Sequence, residues 1–257
     1  MVRKSTILFT LLFTLLLSCT TLNQQTKLKP PNQSYVKINL GLWIKSCKEK
    51  FKSECPDPQF RFESMGSGMV IELIKDETIV LTAGHVCHAD IDPEKIESYE
   101  EELTVTDFLG RVHQAHVINS SKDNGKGNID ICAIWVPTLR TDGVKISHYP
   151  PKVGQELYYI GSPMGVFHPP TVPIFTGIYS GKIDMSNSMV TIPAVGGSSG
   201  SAVMDLNNRI VGVLWAAHQF HHISVVTNWE NTILFLKYTR DLYMGKNPSF
   251  NLPLLKN

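Results

Sequence analysis

The sequence has almost no net charge and contains no internal repeat. Its 24 Lys and Arg residues offset 23 Asp and Glu residues, so the formal net charge is +1. Nucleic-acid binding depends on a basic surplus that neutralises phosphates, so we expect no nucleic-acid partner. Apolar residues make up 42% of the chain, which is enough to bury a substantial core and excludes a disordered protein.

Long hydrophobic runs are also missing. One apolar run, residues 7–17, follows Arg3 and Lys4 near the N-terminus. It is too short to cross a bilayer comfortably and is typical of the hydrophobic part of a signal peptide. We therefore predict an exported chain, with a signal peptide over residues 1–18 and a polar tether over residues 19–34.

The end of the predicted signal peptide resembles a bacterial lipobox. Residues 16–19 read Leu-Leu-Ser-Cys, and the resemblance implies that cleavage leaves Cys19 as a lipidated first residue. The protein would then be a periplasmic or cell-envelope lipoprotein held at a membrane. An ordinary secretory signal cleaved nearby is the alternative, and it would give a secreted protein.

Cysteine is scarce. The five cysteines include no Cys-x-x-Cys pair, so a thioredoxin-like or zinc-ribbon protein has no support. Export permits disulfides. Cys47 and Cys55 bracket a short charged stretch that is consistent with a small closed loop, whereas we expect Cys87 and Cys132 to be buried free thiols.

Short apolar or alternating runs, separated by Gly, Pro, Asn and Asp, follow one another from residue 35 to residue 226. This spacing predicts an all-β fold, as a sandwich or barrel, rather than strands that alternate with helices. A break over residues 142–153 divides the runs into two β-rich lobes, predicted at residues 35–145 and 146–245.

One long helix is predicted near the C-terminus. Thr227 and Glu230 have the spacing of a capping box at its start, and Trp229, Ile233 and Leu236 recur at helical spacing. A tail over residues 246–257 follows it.

Three segments carry the residue types of a nucleophilic mechanism. An apolar strand runs into His85, a carboxylate begins another apolar strand at Asp130, and Ser199 lies in a glycine-rich run. A serine hydroxyl needs a base within hydrogen-bond reach, and that base needs a partner that fixes its tautomer. A tight turn through Gly197 would aim its N–H and that of Ser199 at the charge of a tetrahedral intermediate, and a bulky residue at 197 would obstruct this.

Other residues compete for these roles. Asp123, in a polar loop, competes with Asp130, and Ser198 and Ser201 compete with Ser199. The Gly-x-Ser-x-Gly pattern centred on Ser198 also fits the nucleophile turn of α/β-hydrolases. That class needs its acid and histidine after the serine, whereas the only later histidines follow within 24 residues, so this interpretation fails.

In the order His, Asp, Ser, the three segments resemble the motifs of the chymotrypsin-like (trypsin-fold) serine proteases. Residues 66–71 resemble the strand before that family's histidine, and residues 208–213 resemble the strand after its serine. Residues 154–163 resemble the second-barrel entry of the bacterial HtrA and glutamyl-endopeptidase branches. The resemblance covers about residues 35–240.

The resemblance implies two six-stranded antiparallel β-barrels and a C-terminal helix, with the site in the cleft between the barrels. It makes His85 the general base, Asp130 its orienting acid and Ser199 the nucleophile. Cys87 and Cys132 each lie two residues beyond a member of this triad, so the resemblance also allows a bridge between them.

Two positions depart from the family's pattern. Zymogen-type relatives carry an aspartate before the nucleophile, which pairs with a newly freed N-terminus. Ser198 has no charge for such a pair, so we expect a site that forms without this cleavage switch. Trypsin-type members carry an aspartate six residues before the nucleophile, but Pro193 stands there, so a preference for Lys or Arg is unsupported.

The resemblance places the substrate pocket at Pro193, Leu214, Trp215 and Ala216. Glutamyl endopeptidases carry a histidine where Leu214 stands and glycines at positions 216–217, so a donor for a substrate carboxylate is missing here. We expect a small or medium apolar substrate residue before the scissile bond. Burial of its side chain would contribute about 1–3 kcal/mol to binding.

We therefore interpret the chain as an exported serine endopeptidase that forms an acyl-enzyme with peptide or protein substrates. A catalytically silent lipoprotein of the same fold, binding peptides or envelope partners, is the alternative, and an esterase is a third option. No cofactor is expected, and no metal, because the histidine pairs at 113, 116 and at 221, 222 lack partners at ligand spacing. The sequence indicates no oligomeric state.

Overall fold

The computed structural model describes residues 28–122, 129–218 and 222–246. The predicted signal peptide, Cys19 and most of the predicted tether lie outside these residues, as do Asp123, His221 and the tail beyond residue 246. In the ranges just given, none of the helices combines the length and the apolarity needed to span a bilayer.

Seven antiparallel strands form the first sheet. In chain order they are β1 (Tyr35–Cys47), β2 (Arg61–Ile71), β3 (Ile79–Thr82), β4 (Ile96–Asp107), β5 (Val112–Gln114), β6 (His116–Ser121) and β7 (Ile131–Trp135). They are hydrogen-bonded in the order β5-β4-β1-β2-β3-β7-β6. Only Ala115 separates the two edge strands, β5 and β6, so the sheet curls until its edges meet in one stretch of chain. Counted as one interrupted strand, these two complete the six strands that the resemblance implies.

A closed barrel of six antiparallel strands forms the second sheet. Its strands are β8 (Glu156–Ile160), β9 (Ile174–Lys182), β10 (Asn187–Val190), β11 (Ala202–Asp205), β12 (Ile210–His218) and β13 (Ile223–Thr227). The ring order is β10-β13-β12-β11-β8-β9. Its core is built from apolar side chains that include Leu157, Tyr159, Val203 and Leu214. The all-β class predicted from the sequence is confirmed.

The two strands next to the predicted chemistry, β3 and β7, are buried along almost their whole length. A short continuous apolar run is what a strand covered on both faces requires. In their antiparallel register Thr82 pairs with Cys132, so the end of β3 lies beside the start of β7. A short helix, α1 (Gly84–Cys87), follows β3, and this register fixes both His85 and Asp130.

The C-terminal helix α2 (Trp229–Tyr243) is present, but it begins differently from the prediction. Asn228 is the N-cap, and its side chain accepts a hydrogen bond from the N–H of Asn231. The predicted capping box of Thr227 and Glu230 is therefore wrong by one residue. Thr227 ends β13 instead, and its hydroxyl donates to the backbone carbonyl of Asp130 at 3.0 Å.

Two disulfides are present in the described residues. Cys47–Cys55 closes the small loop after β1, as predicted. Cys87 and Cys132 also form a disulfide, so the expectation of free thiols there is wrong and the bridge that the resemblance allows is present. The reason is the register of β3 and β7, because α1 follows β3, packs on β7 and places Cys87 next to Cys132. The sequence spacing alone does not show this proximity.

Candidate active site

His85 and Asp130 are joined by hydrogen bonds through both the backbone and the ring of His85. The Asp130 carboxylate is buried, with 2% of the residue exposed, and it accepts a hydrogen bond from the backbone N–H of His85 at 3.1 Å. Its two oxygens lie 3.1 and 3.2 Å from Nδ1 of the ring. A carboxylate at Nδ1 keeps the hydrogen of a neutral imidazole on that nitrogen and leaves Nε2 free to accept a proton. About a third of the His85 side chain is exposed.

The Ser199 loop of the second barrel contacts the first sheet. The Ser199 loop, residues 196–200, lies against β2 and β3, and the Ser199 carbonyl accepts a hydrogen bond from the N–H of Ser67 at 2.8 Å. Gly66 is wedged between the two lobes: a Cβ there would lie 2.6 Å from the side chain of Val86 and 3.0 Å from the Ser199 carbonyl oxygen. The residue after His85 and the backbone of Ser199 are therefore close neighbours.

Ser199 and His85 are not joined by a hydrogen bond between their side chains in the described residues. Such bonds are often long before substrate binds and tighten in the complex. The described contacts place the Ser199 backbone against β2 and the carboxylate of Asp130 at Nδ1 of His85.

The three candidate serines differ in access. Ser198 and Ser201 are fully buried, whereas Ser199 is half-buried. The Ser198 hydroxyl lies 3.3 Å from the Tyr159 hydroxyl and accepts a hydrogen bond from the N–H of Val195 at 3.4 Å. Of these three hydroxyls, only that of Ser199 can meet a substrate from solvent.

Two backbone N–H groups of the Ser199 loop are left available. The Gly196 carbonyl accepts from the N–H of Met164 at 2.7 Å, and the Ser198 carbonyl accepts from the N–H of Ser201 at 3.1 Å. Because C=O and N–H point in opposite directions in a trans peptide, these bonds direct the N–H groups of Gly197 and Ser199 the other way. Neither N–H donates a hydrogen bond to another described residue, which suits a site for a developing oxyanion.

Tyr159 contacts the Ser199 loop region through the hydroxyl of its neutral phenol. Burial raises the pKa of its phenol to about 12, against a smaller opposite effect of the Ser198 hydroxyl. The phenol O–H donates its hydrogen to the carbonyl of Pro193 at 2.7 Å, and the phenol oxygen lies 3.3 Å from the Ser198 hydroxyl. Ser198, where zymogen-type relatives carry an aspartate, is therefore held by hydrogen bonds between neutral groups.

The predicted substrate-pocket residues fall into two groups. Pro193, Trp215 and Ala216 are half-buried, so their side chains border accessible space. Leu214 is 1% exposed and packs in the barrel core; its backbone instead exchanges hydrogen bonds with the Ser199 loop region, its carbonyl accepting from the N–H of Gly200 at 2.7 Å and its N–H donating to Ser201 at 2.9 Å.

A cleft of about 390 Å³ opens beside His85. Leu40 and Leu42 of β1 and Phe62 of β2 supply its apolar lining, with Lys122 at the same opening. Sequence reasoning missed these residues. The alternation in β1 indicates which side chains share a face, but only the pairing of β1 with β2 brings that face to His85.

No group of three or more His, Cys, Asp or Glu side chains that could hold a metal ion occurs in the described part of the chain. His113 lies 2.9 Å from the Thr138 hydroxyl and 3.3 Å from Asp107, and His116 packs against the Trp135 ring. These two histidines are engaged in contacts within the first sheet.

Residues 66–213 match the family model described as a trypsin-like peptidase domain. Among solved structures, the chain is similar to the active form of the Rv3671c protease of M. tuberculosis, with 19% identity, a TM-score of 0.59, and coverage of 80% of this chain and 81% of that one. It is also similar to the serine endoprotease of Yersinia pestis, with 16% identity, a TM-score of 0.58, and coverage of 84% and 65%. A search of curated proteins finds no significant match.

Gly197 and Gly196 provide a matched pair for testing the loop. Gly197 has a φ of +89°, and a Cβ there would lie 2.5 Å from the Ser162 carbonyl oxygen, whereas a Cβ at Gly196 would meet nothing within 4 Å. We expect Gly197→Ala to lower the free energy of unfolding by roughly 1–3 kcal/mol through backbone strain. Gly196→Ala should change it by less than about 0.5 kcal/mol. Equal losses in chemical denaturation would contradict this loop geometry.

Proposed function

The chain belongs to the trypsin-like peptidase family and is a serine endopeptidase, and we propose that it cleaves peptide bonds through an acyl-enzyme on Ser199. In this proposal His85 is the general base and Asp130 orients it. The observation that supports these roles best is the buried carboxylate of Asp130 at Nδ1 of His85. Polypeptides are the substrate class.

The first half of the reaction forms the acyl-enzyme. Oγ of Ser199 attacks the carbonyl carbon of the scissile bond while its proton passes to Nε2 of His85. The tetrahedral intermediate then collapses, the C–N bond breaks, and the proton on Nε2 goes to the leaving amine. Asp130 stays ionised and stabilises the imidazolium that exists between these two transfers.

The second half of the reaction hydrolyses the acyl-enzyme and regenerates the free enzyme. His85 takes a proton from water, the resulting hydroxide attacks the ester on Ser199, and collapse releases the carboxyl product while Oγ recovers its proton. In both halves the oxyanion would accept hydrogen bonds from the N–H groups of Gly197 and Ser199. Each such donor stabilises the transition state by about 2.7–4 kcal/mol in related chemistry.

A fluorophosphonate probe tests the nucleophile directly. We expect the wild-type protein to be labelled and Ser199→Ala to lose labelling completely, because the probe reacts with an activated serine hydroxyl. Ser201→Ala is the matched control, since its hydroxyl is buried and has no hydrogen-bond partner in the described residues, and it should retain labelling. Absence of labelling in folded wild-type protein would favour the catalytically silent alternative.

The substrate residue before the scissile bond is proposed to be small or medium and apolar. Pro193 supplies no charge for a basic side chain, and Ala216 offers a methyl group where glycine would leave space. The apolar cleft beside His85 gives further contact for residues that flank the bond. The free energy that favours such a residue comes from the burial of its apolar surface.

Cleavage of a peptide library measures this preference. We expect kcat/KM for Ala, Val or Leu before the scissile bond to exceed that for Lys, Arg or Glu by on the order of 10- to 100-fold. The Ala216→Gly variant should accept larger side chains than the wild type. A strong preference of the wild type for a charged residue would refute the proposed pocket chemistry.

The protein is proposed to act outside the cytoplasm as a lipid-anchored enzyme. The signal-like segment and the lipobox-like residues that end at Cys19 support this proposal. The two disulfides in the described residues are a further support, because such bonds persist in oxidising compartments and are rare in the cytosol.

Mass spectrometry of the mature protein tests the anchor. In a bacterial host we expect the first residue to be Cys19 carrying a lipid mass, and Cys19→Ala to lose both the lipid and the membrane fraction. A mature chain that begins elsewhere without lipid would support the secreted alternative.

A further inference from the structure

Ser67 links the first sheet to the Ser199 loop with both its backbone and its side chain. It lies on β2 and is fully buried. Its N–H donates to the Ser199 carbonyl at 2.8 Å, and its hydroxyl donates to the Gly197 carbonyl at 2.8 Å. The same hydroxyl accepts from the N–H of Ser162 at 3.0 Å, and the Ser67 carbonyl accepts from the Thr82 hydroxyl at 2.8 Å.

These bonds complete an unbroken series along the loop. Four successive carbonyls, those of residues 196–199, each accept a hydrogen bond from outside their own peptide unit. The donors, in order, are the N–H of Met164, the hydroxyl of Ser67, the N–H of Ser201 and the N–H of Ser67. Ser67 supplies the only side-chain donor in the series, and it holds the peptide that lies between the two available N–H groups.

We propose that Ser67 is a positioning residue, whose hydroxyl fixes the Gly197–Ser198 peptide so that the N–H groups of Gly197 and Ser199 converge on one point. The catalytic consequence rests on the proposed acyl transfer, whereas the effect on loop order does not. Two glycines precede that peptide, so the local chain has little conformational preference of its own. A donor from a rigid strand supplies the constraint instead.

Removing the hydroxyl has a specific expected result. In Ser67→Ala the Gly197 carbonyl and the Ser162 N–H lose their partner, and the peptide between the two N–H groups keeps only the bond from the Ser198 N–H to the Val195 carbonyl. N–H groups that point in the wrong direction stabilise the transition state less, whereas they change the binding of the substrate much less. We therefore expect kcat to fall by about 10- to 100-fold with KM changed by less than about threefold.

Ser162→Ala is the matched control. Ser162 is equally buried, and its hydroxyl lies 3.4 Å from that of Ser67, but its removal leaves the bond from Ser67 to Gly197 in place. A residue that only fills the lobe interface would give similar effects in both variants. We expect Ser162→Ala to keep kcat within about twofold of the wild type.

Hydrogen exchange provides a measurement that needs no activity. The N–H of Ser198 donates to the Val195 carbonyl at 2.9 Å, and it belongs to the peptide that Ser67 holds. In Ser67→Ala we expect this N–H to exchange about tenfold faster or more, with little change in β11, and no such change in Ser162→Ala. Should Ser67→Ala not fold, Ser67→Cys, a weaker donor, is expected to show an intermediate increase.

The outcomes separate the two proposals. Faster exchange in a protein that does not label at Ser199 would retain the positioning role and refute the enzyme proposal. Equal exchange and equal kcat in Ser67→Ala and Ser162→Ala would overturn the positioning role, even in a fully active protease. A loss confined to KM would also overturn it.

Discussion

The antiparallel pairing of β3 with β7 is the constraint on which the rest of the site depends. Both strands are buried, and their register places the end of one beside the start of the other. Because His85 follows β3 and Asp130 precedes β7, the imidazole and the carboxylate meet without a long connecting loop. The same register brings Cys87 to Cys132, and their disulfide ties α1 to β7 next to the pair.

The second barrel completes the site by contacts that are mostly made by the backbone. The Ser199 loop is fastened at each carbonyl from residue 196 to residue 199, and Gly200 lies against the Thr82 side chain with a φ of +87°. The Thr227 hydroxyl holds the Asp130 carbonyl from the far side. No charged group takes part in these loop contacts, so the Ser199 loop is held by close packing and neutral hydrogen bonds.

Local patterns predicted the parts of this structure that local physics controls. Short apolar or alternating runs located the strands, and the residue types around His85, Asp130 and Ser199 indicated the chemistry. Pairing between distant strands decided what the sequence could not: the Cys87–Cys132 bond, the burial of Leu214 in the barrel core, and the cleft lined by β1 and β2. The helix cap was misplaced because Thr227 and Asn228 are both good caps, and the bond from Thr227 to Asp130 selects between them. Ser67 carried no local signal, since a serine in a strand usually faces solvent.

In the proposed site, one point in the cleft lies beside the Ser199 hydroxyl, the His85 imidazole and the N–H groups of Gly197 and Ser199. A crystal structure of the protein after reaction with a peptidyl phosphonate tests this most directly. We expect phosphorus bonded to Oγ of Ser199 and a phosphoryl oxygen about 2.7–3.1 Å from the backbone nitrogens of Gly197 and Ser199. A phosphoryl oxygen that points away from both N–H groups, or phosphorus bonded to another residue, would contradict it.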